Sequence, residues 1–320
     1  MKQTAKILLI IAVALIAIGG IIFVSAMAKA NWDFTRLSVS RYTRRSHIIT
    51  DKFRNISITV DTADVAIFPT DSAEVLVECH ELEQVQHAVS VKDGTLVIEV
   101  NDTRAWYEHI GIFWGNSKVA IHLPQEKYES LVISSDTGDI SLSKNYAFQN
   151  ITLSSHTGGI SCSASVENIA SIKATTGDIR VESITAGSLE LSVSTGNITG
   201  NNITCQGNIK INVSTGNTNL TDLQCCSLIS TGSTGDMLLQ NVVATETFSI
   251  ERSTGDVKFV SCDAGEINVA TGTGDVTGNF VTDKIFLTET DTGRIDVPKS
   301  TAGGKCEIQT DTGDIMITIG

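Results

Sequence analysis

The chain has 320 residues, enough for one large domain or two ordinary ones. Residues 1–45 carry a net charge of +6 and the remaining 275 carry −19; so acidic a body argues against a nucleic-acid binder, whose footprint is a basic patch. A hydrophobic share of 41% excludes disorder, and aromatics at 5% leave a thin aliphatic core. Ile7–Met27 runs 21 residues without a charge, enough to cross a hydrocarbon core of about 30 Å as a helix. It exceeds the usual apolar stretch of a cleaved signal peptide, about 7–15 residues, although Ala26-Met27-Ala28 and Ala28-Lys29-Ala30 have small-x-small form. Residues 7–27 are therefore read as an uncleaved anchor in contact with the lipid membrane. Lys2 and Lys6 before a single apolar helix are how an exported chain begins, which places the body outside the cytoplasm. A bare count of flanking basic residues, from Lys29 to Arg45, favours the reverse. The organisation read from the sequence is a single-pass anchor over residues 1–29, a basic juxtamembrane linker over 30–50, an irregular β region over 51–130 capping a solenoid, and repeats over 131–320.

In the capping region Ile56–Val60, Val75–Val77, Leu96–Val100 and Val119–Leu123 alternate apolar and polar residues, and Asp93-Gly94 signals a hairpin. The repeats follow. Thr-Gly recurs with Gly138, Gly158, Gly177, Gly196, Gly216, Gly235, Gly255, Gly274, Gly293 and Gly313, at a period of 19 or 20 residues. The next residue is Asp139, Asp178, Asp236, Asp256, Asp275 or Asp314, and elsewhere Asn197, Asn217, Gly159 or Arg294. Apolar residues stand two and four positions after the glycine and seven and five before it. Each unit thus reads as two short strands and two turns, and stacked units form an all-β parallel solenoid, a β-helix or β-roll. Glycine suits a corner with φ > 0, and Asp or Asn after it can cap backbone N–H groups. Leu228–Gly232 and Ile285–Leu287 read as out of register, with a bulge expected in each.

The Ile58-Thr59-Val60 opening, Asp93-Gly94 followed by Leu96, Leu123-Pro124 before the repeats, and the serial Thr-Gly-Asp-Ile units together resemble a bacterial family of β-strand-repeat domains of unknown function that carries an adhesin label. Its members often follow one N-terminal membrane helix. The resemblance covers residues 50–320 and implies a surface or envelope role, with a tie to cell-envelope stress, and no catalytic residues.

No catalytic, cofactor-binding or metal-binding residue is assigned from the sequence. The Asp column lacks the nonapeptide calcium pattern, the six histidines have no ligand spacing such as HExxH, and the seven cysteines contain no CxxC pair, so they read as small apolar fillers. Trp106, Tyr107, Phe113 and Trp114 form one aromatic cluster, read either as a flap over the stack or as a binding patch for a glycan, lipid head group or protein partner. The chain ends on the alternating strand Ile315–Ile319, read as an open end coil through which the protein self-associates or adds a partner strand. The resulting expectation is a non-enzymatic, membrane-anchored envelope protein that binds or scaffolds at the cell surface. An accessory role in an envelope stress response is the alternative, and a polysaccharide-active β-helix enzyme, for which Asp139, Asp178 and Arg180 are the nearest trio, the third reading.

Overall fold

A computed structural model describes residues 3–32, 42–105 and 116–320. The apolar segment is helix α1 (Gln3–Lys29), whose side chains from Ile7 to Val24 are exposed, while Met27 near its end is buried. Among the described residues, every later regular element is a strand. The elements are β1 (Tyr42–Ile49), β2 (Asn55–Val60), β3 (Ala63–Thr70), β4 (Val75–Leu82), β5 (Val85–Lys92), β6 (Thr95–Asp102), β7 (Ser117–Pro124), β8 (Lys127–Thr137) and β9 (Ile140–Leu142); then β10 to β17 between Ala147 and Thr254; then β18 (Val257–Thr273), β19 (Val276–Phe280), β20 (Lys284–Thr292), β21 (Ile295–Asp296), β22 (Gly304–Thr312) and β23 (Ile315–Ile319). They form a parallel β-solenoid of about ten turns.

Each coil has three inward faces. In the coil at Ile179–Thr195 the buried residues are Ile179 and Val181 on the first face, Ile184 and Ala186 on the second, and Leu189, Leu191 and Val193 on the third. The sequence suggested two strands per unit. The second face escapes notice because it is three residues long and carries small fillers, Ala186, Cys205, Cys225, Ala244 and Ala264, where a strand pattern wants branched aliphatics. The two segments expected to slip are in register: Leu228 pairs with Ile209, and Phe286 with Cys306. The one register shift beside them lies just before Leu228, between Cys225 and Ser227 opposite β17, and the segments themselves differ in side-chain chemistry at fixed register.

Stack order departs from chain order at both ends. At the N-terminal end β2 and β3 lie between β8–β9 on one side and β6–β7 on the other. Beyond them β5 pairs antiparallel with β6, and β4 with both β7 and β1. Residues 42–49, inside the stretch read as linker, are thus a strand of the cap. At the other end β22 pairs with β18 and β23 with β19, while β20 and β21 pair only with β22 and β23. The final segment is therefore sandwiched, and Ile317, expected in an open terminal coil, is 2% exposed. The coil at the end is 284–296.

Candidate functional site

The corner glycines except Gly293 sit at φ between 130° and 153°. Space matters as much as φ. A Cβ on Gly216 would collide with the carbonyl oxygen of Gly196, and the same holds from coil to coil. The following residue caps the next coil. Asp139 Oδ1 accepts from the Gly159 N–H at 2.7 Å, Asp178 from Asn197 at 2.8 Å, Asn197 from Asn217 at 3.0 Å, and Asn217 from Asp236 at 2.9 Å. The ladder continues from Asp236 to Asp256 at 3.0 Å, from Asp256 to Asp275 at 2.8 Å, from Asp275 to Asp314 at 2.8 Å and from Asp314 to Arg294 at 2.8 Å. Of the trio considered for catalysis, both carboxylates are thus engaged with backbone, and Arg180 pairs with Glu182 at 3.3 Å.

A second corner column was missed. Ser183, Asn202, Asp222, Asn241 and Ser261 hold φ between 51° and 55°. They stand six residues after Gly177, Gly196, Gly216, Gly235 and Gly255. Asn, Asp and Ser tolerate this conformation or bond locally within it, so no glycine marks the bend. A recurring Ser/Asn/Asp at that offset was the available signal.

Charged side chains interrupt the apolar lumen in three places among the described residues. In the stack Arg252 is 5% exposed; its terminal nitrogen donates to Ser230 Oγ at 3.0 Å and Thr218 Oγ1 at 3.3 Å, and no carboxylate pairs with it among the described residues. Near the C-terminal end buried Lys284 donates to Asp263 at 2.5 Å and Thr282 at 2.7 Å. In the cap Cys79 and Glu81 of β4 and His87 of β5 are buried together.

The aromatic cluster Trp106, Tyr107, Phe113 and Trp114 lies outside the described residues. Among those described, Val132, Ile169 and Val243 are exposed singly along the stack, and four further exposed apolar side chains lie at its end: Val281, Ile285, Leu287 and Ile295 are 54%, 40%, 51% and 42% exposed. These four belong to the terminal coil or its approach. β20 and β21 also present an edge whose N–H and C=O groups pair with no further strand among the described residues, so backbone and apolar side chains are offered together.

No curated protein matches the chain. Among solved structures, a Parabacteroides distasonis protein provisionally named as a lipid binding protein is 18% identical, with a TM-score of 0.51 over 75% of this chain and 97% of that one. A second protein of the same organism, provisionally named as an adhesin, is 13% identical, with a TM-score of 0.49 over 85% of this chain and 98% of that one. At such identity the first likeness speaks for the fold alone. The model of the Toastrack DUF4097 family matches residues 53–213 and again 188–319, nearly the whole solenoid, and the chain belongs to that family.

Proposed function

We propose that the protein is a membrane-tethered scaffold whose solenoid stands outside the cytoplasm and joins a second copy of itself through the β20–β21 edge. The observation that carries this is the end coil: Ile285 and Leu287 point outward beside an unpaired backbone edge, the arrangement that strand addition uses. The coil lies at the opposite end of the stack from β1, the strand that follows α1, so a tether would leave it free to meet a partner. Lys2 and Lys6 ahead of one apolar helix support the outward orientation. The column carboxylates are spent on backbone N–H groups, which favours a structural and binding role over a catalytic one.

Sedimentation of the full chain in detergent tests the reading. The expected result is a dimer that Leu287→Lys converts to monomer, because a charge at the edge opposes pairing. A wild-type monomer at high concentration, or a dimer indifferent to Leu287→Lys, would remove this edge from the interface.

A further inference from the structure

We propose that Cys79, Glu81 and His87 form a binding site for a zinc-like divalent cation in the N-terminal cap. Alternation along β4 puts Cys79 and Glu81 on the same inward face, and the turn into β5 brings His87 beside them. One ligand atom from each lies within 4.8 Å of the other two, and the residues are 0%, 0% and 5% exposed. A thiol, a carboxylate and an imidazole are the sulfur, oxygen and nitrogen donors that zinc takes. Bonds of about 2.0–2.3 Å place tetrahedral donors about 3.3–3.8 Å apart, within reach by small side-chain torsions. Three protein ligands leave the fourth position to water.

A second observation points the same way. Glu81 Oε2 is satisfied, accepting from the backbone N–H of His87 at 2.7 Å and lying 2.7 Å from His87 Nδ1. Glu81 Oε1 is equally buried and receives no hydrogen bond. The nearest cation is Arg45 Nε at 3.5 Å, beyond good hydrogen-bond range. The ion pair with Arg45 leaves this buried oxygen without a hydrogen bond, which is costly, and a metal ion would satisfy it. If Glu81 were only a staple for the β4–β5 hairpin, Oε2 would be explained, but not an Oε1 without a hydrogen bond or the adjacent thiol.

The chemistry of loading follows from burial. Cys79 is fully buried, and so dry a site disfavours a thiolate with no cation beside it. The ion therefore displaces the thiol proton to solvent as the sulfur–metal bond forms. His87 binds as the neutral imidazole, keeping one proton on its other nitrogen. The thiolate and carboxylate then balance the charge of the ion, and Arg45 becomes surplus. Its side chain is 43% exposed and also reaches Gln86 Oε1 at 2.6 Å, so it can swing outward. Arg45 is thus a competitor of the metal, and removing it should strengthen binding. If Arg45 only helped to pin Glu81, its loss could not strengthen binding.

The test uses the full chain in detergent, stripped with chelator and titrated with Co²⁺ and then Zn²⁺. One Co²⁺ per chain should bind with a sulfur-to-cobalt charge-transfer band, and Zn²⁺ should displace it. Cys79→Ser should abolish the band, and Cys262→Ser, buried elsewhere in the stack, should leave it intact. His87→Gln should weaken Zn²⁺ binding more than about tenfold. Arg45→Gln should tighten it. The proposal fails if Co²⁺ does not bind, binds without the band, keeps the band in Cys79→Ser, or binds less tightly in Arg45→Gln. Should Cys79→Ser not fold, the wild-type band and the direction of the Arg45→Gln change decide the matter.

Discussion

Arg252 occupies a column that is otherwise apolar or small. Register aligns it with Val193, Val213, Gly232 and Thr271 in successive coils. Its guanidinium lies where a side chain on Gly232 would be, so this glycine provides room rather than a special φ. Ser230 and Thr218, also facing inward, supply acceptors. Read along the sequence, Ser230 and Gly232 look like damage to a strand. They make sense only beside a residue twenty positions later, a contact that no local pattern announces. Burial lowers the Arg252 pKa by opposing its charge, and Nε finds no partner. Even buried ion pairs can often be replaced by apolar side chains at no cost or with a gain of about 1–4 kcal/mol, and an unpaired buried charge has less to lose. The two hydroxyls can rotate to other acceptors, so little is lost on their side. Arg252→Met should therefore raise the thermal midpoint of the full chain in detergent. A lowered midpoint would mean that the hydrogen bonds of the guanidinium outweigh its desolvation.

At the scale of the elements, the Thr-Gly-Asp corner was legible because sterics and capping both act there at every turn, leaving a strict period. The three-sided cross-section was not, since the second face is short, has no glycine corner and sets only one large apolar residue beside a small filler. The cap residues Cys79, Glu81 and His87 were passed over for a related reason. Ligand spacing was sought as CxxC or HExxH, whereas a strand brings i and i+2 together and a hairpin supplies the third. The corner ladder has its own internal tension. Asp236, Asp256, Asp275 and Asp314 stack as four successive carboxylates, about 4.8 Å from one coil to the next. Each is held by a backbone N–H, but like charges at that distance repel. Asparagine can do the same capping and add a bond, as Asn197 Nδ2 does to Asp178 Oδ1 at 3.1 Å. Asp256→Asn should thus stabilise slightly at low salt, with the gain fading as salt screens the column. Asp256→Ala should cost about 1 kcal/mol, the worth of a lost cap. Urea unfolding at two salt concentrations checks both, and a loss in Asp256→Asn equal to that in Asp256→Ala would show that the negative charge itself is required.

At the scale of the whole molecule, the repeat fixes register but leaves order open, because every corner carries the same Thr-Gly column and any coil could stack on any other. Energetics chooses. The inward residues of β22 and β23 include Cys306, Ile308, Ile315 and Ile317, whereas β20 turns Lys284, Phe286, Thr288 and Thr290 toward the core. A coil covered on both sides buries more than one at the end, so the more apolar coil takes the inner place although it comes later in the chain. The corner bonds follow this order: the Gly274 N–H donates to Thr312 and the Gly313 N–H to Thr292. Chain order alone would put residues 284–296 directly on β18. The outward residues Asn268, Glu307 and Leu287 share one register position, in that stacking order. Neighbouring strands are about 4.8 Å apart and next-but-one strands about 9.6 Å. A disulfide needs Cα atoms within about 7 Å. The double variant Asn268→Cys/Glu307→Cys should therefore close an intrachain disulfide on mild oxidation, and Asn268→Cys/Leu287→Cys should not. Non-reducing electrophoresis after proteolysis between the two positions reads the outcome. The reverse pattern would mean that the coils stack in chain order, with β22–β23 at the open end and Leu287 no longer on the terminal edge.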